Sequence, residues 1–370
     1  MSRPKIIVAL ALSAALVAGL ALSLIRGGGG SSTSSAATDT SQFFGIVQGI
    51  RLDSQDFQTM AKTGVGSDRF LLIWGSVQPK KNGPFDWGPT DSLIGSFASH
   101  GIQVVPDLWR SPPWASGPLV APPIDRAADT KAWERFLKAA VARYGPQGTF
   151  WSTEYKKRFG SDAVPLPVHS WQIWNEPNLS KYFAPGPSAT RYAKLLKVSH
   201  DAIKAQDPSA QIVLAGMPGY GDVNAWKFLD QLYAVPGIQD YFDAAALHPY
   251  APDTKHLKGE IDRVRAVMNA HGDQATPLWI TEIGWGSAPP DRFGINQGLQ
   301  GQNKMLKNSF GLILSHQKEW KIGRLFWFDW RDPSPSGAVK CSFCASAGLL
   351  RYDRSPKPAY HTFQFYAGAR

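Results

Sequence analysis

A single (β/α)8 (TIM) barrel over residues 42–370 is the fold this chain predicts, and three features of the sequence predict it. Short apolar runs alternate with longer amphipathic stretches, the signature of βα units in a parallel sheet. The alternation completes eight times, the number a closed barrel needs. Connections after the apolar runs are longer and richer in Gly, Pro and Trp than those before them, as expected where one rim carries functional loops.

Taken in order, the predicted strands are 43–47, 69–74, 103–108, 170–174, 211–215, 244–248, 278–281 and 324–328. The predicted helices are 54–62, 91–99, 131–143, 188–206, 224–233, 258–270, 297–315 and 359–365. Asp129-Thr130 ahead of the third helix, with Glu134 in its first turns, and Arg143 followed by Gly145-Pro146 are start and stop signals. Asp207-Pro208 closes the fourth helix in the same way. Loops 109–128 and 331–350 are expected on the substrate rim, and the Gly/aromatic stretch 144–167 on the opposite one.

Ahead of the barrel, Arg3 and Lys5 precede an apolar run from Ile6 to Ile25, followed by Arg26 and a Gly/Ser-rich stretch. Residues 1–26 therefore read as an export signal or an uncleaved membrane anchor, since a run of roughly 20 apolar residues can span a bilayer, and 27–41 as a flexible linker. The expected location is extracytoplasmic, secreted or anchored through residues 6–25, with the protein a monomer. Formal charge is +10; without Arg3, Lys5 and Arg26 the exported part keeps 39 − 3 = 36 bases against 29 acids, or +7. That surplus suits anionic polymers or a solvated basic surface, and no basic run with interleaved aromatics points to nucleic acid. Cys341 and Cys344 are the only cysteines; outside the cytoplasm a small structural disulfide is expected. A lone CxxC offers little to a metal, and neither metal nor organic cofactor is expected.

Two glutamates stand out. Glu176 lies in WNEPN (174–178) after the fourth predicted strand, and Glu282 in WITEIGW (279–285) at the end of the seventh. Strand ends of a parallel barrel share one mouth, so two such carboxylates can face each other across a sugar ring, the arrangement glycoside hydrolysis requires. Their separation, 282 − 176 = 106 residues, spans three βα units of ordinary length.

WNEPN and TEIGW resemble the acid/base and nucleophile motifs of glycoside hydrolase clan A, most closely families 39 and 5, and the likeness covers the whole exported portion. The resemblance implies a (β/α)8 fold and a retaining mechanism in which Glu176 is the general acid/base and Glu282 the nucleophile. It implies that Arg69 lies near the nucleophile and keeps it ionised, though Arg69 could equally pair with a structural carboxylate such as Asp107. His248 and Tyr250 in LHPY match the His-x-Tyr at the sixth strand, with the Tyr hydroxyl donating to the nucleophile; Asn175 matches the residue that binds the sugar 2-hydroxyl. An indole platform is implied at the end of the eighth strand, where Trp327 and Trp330 stand. Strand alternation puts these two on opposite faces, so only one can serve. Trp109, Trp114 and Trp285 are further candidates for stacking on sugar rings.

The expected activity is hydrolysis of an oligo- or polysaccharide, with endo action ahead of an exo-acting β-glycosidase such as a β-xylosidase, or a transglycosidase. A non-catalytic glycan-binding envelope protein is the rival from another class; the presence of both glutamates argues against it. The Asn178-Leu179-Ser180 sequon reads as chance, because a glycan there would block the site.

Overall fold

The computed structural model describes residues 42–335, 341 and 343–368. The expected signal or anchor (1–26) and the expected linker (27–41) lie outside them. Among the described residues no helix is long and apolar enough to cross a membrane.

Among the described residues nine strands form one curled parallel sheet: β1 (Phe44–Val47), β2 (Ser67–Ile73), β3 (Gln103–Trp109), β4 (Ser170–Ile173), β5 (Gln211–Leu214), β6 (Met217–Pro218), β7 (Ala245–His248), β8 (Leu278–Ile283) and β9 (Ile322–Phe328). Their order is β5-β4-β3-β2-β1-β9-β8-β7-β6, with every pairing parallel. Helices such as Ser54–Thr63, Ala127–Tyr144, Ala189–Lys204 and Gly298–Ser315 connect consecutive strands, making the chain a TIM-barrel-like α/β protein.

The fifth predicted strand ends at Leu214 as β5, and after Ala215 and Gly216 the short strand β6 follows, which the prediction did not include. A Cβ at Gly216 would fall 1.9 Å from His248 Nε2 and 2.5 Å from Thr281 Oγ1, so the backbone passes where any side chain would collide with the site. An isolated bridge, Val213–Ala244, and a bond from Leu214 N to Ala244 O (2.9 Å) join β5 to the approach of β7 beside this break.

The third helix starts at Ala127, before the expected Asp129-Thr130 cap. Arg126 takes the N-cap place without a side-chain bond and its guanidinium meets Asp129 instead, at 2.5 Å. Stretch 144–167 is also not loop throughout: Trp151–Tyr155 and Lys156–Phe159 form short helical turns, with Trp151 and Tyr155 buried.

Most of the core lies between sheet and helices. A smaller apolar cluster of Val47, Val105, Val213, Ala244, Ala246, Trp279 and Phe326, with Phe328 against it, shares Val47 and Phe328 with the pocket described next. It forms the floor on which the polar site is built.

Candidate active site

Arg69 of β2, Asn175 and Glu176 after β4, Tyr250 after β7 and Glu282 of β8 line a cavity of about 410 Å³, a size suited to a small ligand, and Asp107 of β3 and His248 of β7 bond to them. Glu176 reaches it by a distorted turn after β4. Trp174 and Glu176 have φ of 72° and 44°, the left-handed region, which for residues other than Gly costs about 1–3 kcal/mol each. Burial of Trp174, its indole bond to Tyr182 O (2.9 Å), and the bond from Glu176 N to Gly216 O (3.1 Å) hold the turn in that conformation. Glu282 needs no such turn, since β8 carries it directly.

Arg69 on β2 is fully buried and organises the charges. Its guanidinium donates to Glu282 Oε1 (2.7 Å), Asp107 Oδ2 (2.8 Å), Asn175 Oδ1 (2.8 Å) and the Gln172 side chain. The two partners weighed for it, catalytic and structural, are thus both engaged. With Oδ1 of Asn175 committed, its amide N–H groups are what that residue can offer a ligand hydroxyl. Tyr250 donates its hydroxyl to Glu282 Oε2 at 2.7 Å. His248 Nδ1 lies 3.0 Å from Glu176 Oε1 and 3.7 Å from Glu282 Oε2.

These contacts drive the two carboxyls apart. Burial raises the Glu176 pKa above its ordinary value, against the opposing hydrogen bond and charge of His248. Glu282 suffers the same burial, but the charges of His248 and Arg69 and the Tyr250 hydroxyl outweigh it, and its pKa falls below the usual range. Burial and the charge of Glu282 keep the Tyr250 hydroxyl far from ionising, so it stays a donor. The pocket can therefore hold one carboxyl protonated beside one ionised.

One ligand atom each from Glu176, His248 and Glu282 lie within 4.8 Å of one another, a spacing a cation could bridge. Both Glu282 oxygens already accept donors, one from the Arg69 cation, so the set fits proton transfer better than metal binding.

The tryptophans divide differently from expectation. Of the candidates, Trp109 alone lines the pocket, where it packs with Tyr182 (centroids 5.8 Å apart). Trp327, Trp330 and Trp285 are fully buried and unavailable to a sugar face, which corrects the expected indole platform. Trp327 packs on Trp285 and Phe310, Trp330 donates to Asp56 Oδ1 (3.1 Å), and Trp285 donates to Ala251 O (2.8 Å). Trp114 lies against Trp74 and donates to Gln78 O, away from the pocket. The aromatic residue that lines the pocket from the end of β9 is Phe328, in register with Val47. Alternation supplied the missed signal: with Trp327 on the helix side, Phe326 and Phe328 share the inner face.

Tyr182, Tyr220 and Phe343 also line the cavity and had no motif to announce them. A disulfide joins Cys341 to Cys344, and both residues border the cavity. The pair clips the loop that carries Phe343 against Tyr250 (5.2 Å) and Phe328 (5.8 Å).

Removing the Arg69 charge tests this network. Arg69→Met leaves Asp107 and Glu282 buried without their cation, and a broken buried pair costs about 3–5 kcal/mol. Thermal unfolding is expected to show that loss. In any variant that still folds, the acidic limb of the pH–rate profile moves to higher pH, because Glu282 loses a charge that lowers its pKa. An unmoved limb would separate Arg69 from the ionisation of Glu282.

A TIM-barrel-like sheet with two differently tuned carboxyls at its strand ends is a glycoside hydrolase architecture. Residues 132–350 match the model of the glycosyl hydrolase catalytic core, and the chain belongs to that family. A β-xylosidase of Caldicellulosiruptor saccharolyticus is 25% identical over 233 residues, covering 56% of this chain and 42% of that protein, so the chain spans well under half of that relative's length. Among solved structures, a family 39 glycoside hydrolase from Bacteroides cellulosilyticus WH2 is 19% identical with a TM-score of 0.63, covering 89% of this chain and 64% of that one. A monomeric β-xylosidase from Caulobacter crescentus CB15 is 18% identical with a TM-score of 0.64, covering 88% and 68%. At these identities the structural likeness concerns the fold.

Proposed function

We propose that the chain is a retaining glycosidase acting on an oligo- or polysaccharide by double displacement, with endo action expected. Ionised Glu282 attacks the anomeric carbon as Glu176 passes its proton to the departing oxygen. Glu176 then takes a proton from water, whose oxygen displaces Glu282 from the sugar. Asn175 binds the 2-hydroxyl, and Arg69 and Tyr250 receive the charge returned to Glu282. The observation that carries this reading is the placement of both carboxyls around one cavity, with ligand oxygens within 4.8 Å and opposite pKa shifts. That bound refers to one oxygen of each group; carboxyls of an inverting pair stand about 6.5–9.5 Å apart to admit a water and those of a retaining pair about 5–5.5 Å, so oxygens this close favour the retaining arrangement.

Catalysis is proposed to reside in one domain, 42–370, whose sheet closes as a (β/α)8 barrel. Its terminal strands β5 and β6 are separated only by Ala215 and Gly216, and the Val213–Ala244 bridge spans the same junction. Export through residues 1–26 remains part of the reading, supported by the Arg3/Lys5-flanked apolar run and by a disulfide that suits an oxidising compartment. An exo-acting β-xylosidase is the second reading, favoured by the Caldicellulosiruptor relative.

Turnover across a panel of aryl glycosides and oligosaccharides, with the anomer first released followed by proton NMR, tests the proposal. The expected product keeps the configuration of the substrate; an inverted first product would overturn the retaining assignment.

A further inference from the structure

Beside the catalytic pocket lies a second cavity, of about 340 Å³, lined by Tyr220, Tyr250, Pro252, Phe293, Ile295 and Phe343 together with Asp291. Tyr220, Tyr250 and Phe343 line both cavities, so the two are neighbours across shared side chains. Two of its aromatic rings are held out in solvent: Phe293 is 64% and Tyr220 49% exposed.

Exposure of Phe293 is built into its loop. Asp291 accepts the backbone N–H groups of Phe293, Ile295 and Asn296 at 3.0, 3.1 and 3.1 Å and the Asn296 side-chain amide at 2.9 Å. Gly294, at φ 69°, lets the loop close on Pro252, where a Cβ would approach to 2.7 Å. The Arg292 guanidinium lies 4.6 Å from the Phe293 ring centroid, a further contact on a ring that stays largely open. Held open by its loop beside the pocket, the Phe293 ring offers a flat apolar surface next to polar neighbours, which suits the face of a sugar.

We propose that this cavity is a subsite for a second sugar ring of the same glycan chain, adjoining the ring bound over Glu176 and Glu282. The proposal rests on the glycosidase reading. Adjacency of the two cavities across Tyr220, Tyr250 and Phe343 commits it to a ring of the same chain, and Phe293 and Tyr220 are the stacking surfaces. Phe343, held in place between Cys341 and Cys344, forms part of the wall between the rings.

The test compares the full-length protein with Phe293→Ala and Phe293→Tyr on 4-nitrophenyl β-monoglycosides and matching β-linked tri- to pentasaccharides of xylose, glucose, mannose and galactose. Phe293→Ala is expected to lower kcat/KM on the oligosaccharides by about tenfold more than on the aryl monoglycoside, chiefly through KM, and Phe293→Tyr to restore it. Equal changes on both substrate types, with the native protein active, overturn the subsite and leave the glycosidase standing. Failure of the native protein to cleave any series removes the glycosidase reading, and the subsite with it.

Discussion

Glu282→Gly is expected to lower kcat on every substrate by roughly 10⁴-fold or more, the scale of losing a catalytic nucleophile. The loss is chemical rather than structural. Glu282 is one of several acceptors of Arg69, and Asp107, Asn175 and Gln172 still hold that guanidinium when it is gone, so the variant should fold. The cavity left beside the anomeric carbon fits a small anion, and the Arg69 charge next to it attracts one. Added azide should therefore restore turnover of an activated glycoside and yield a glycosyl azide of inverted configuration, because only one displacement then occurs. Steady-state rates with and without azide, and NMR of the product, check this. Native-like activity in the variant without azide would remove Glu282 from the reaction.

Glu176→Ala is expected to divide substrates by their leaving groups. Protonation of the departing oxygen matters for an alkoxide and little for an activated phenolate, so the glycosylation step should fall by about 10²–10⁴-fold on the former and far less on the latter. The pH profile adds a second signature. The proposed mechanism requires Glu282 ionised and Glu176 protonated, so kcat/KM is expected to fall as pH drops through the depressed pKa of Glu282 and as it rises through the raised pKa of Glu176. These apparent values belong to the interacting pair. Losing Glu176 should abolish the alkaline limb on activated substrates; a retained limb would assign it to another group.

The sequence is informative where one residue's neighbours in the chain determine its place. Eight apolar runs, each followed by an amphipathic stretch, fall on observed strands and helices, because burial on a curled sheet imposes that pattern. WNEPN and TEIGW bring Glu176 and Glu282 to one cavity because each motif sits at a strand end. The need for glycine at 216, between β5 and β6, was not legible: it depends on His248 and Thr281, distant in sequence but within collision range of a Cβ. Trp285, Trp327 and Trp330 misled for a related reason. Tryptophan lowers the free energy of the core and of a sugar site alike, and only the side of the sheet it faces decides which. Phe328 and Phe343 reach the cavity through strand parity and a disulfide-clipped loop, neither of which a composition signal records.

Covalent labelling is the most direct measurement of the central claim, that Glu282 attacks the sugar. Incubation with a panel of 2-deoxy-2-fluoro glycosides bearing good leaving groups, followed by peptic digestion and mass spectrometry, should find one glycosyl group per chain on the peptide containing Glu282. Label on any other residue, with native activity persisting in Glu282→Gln, would contradict the account.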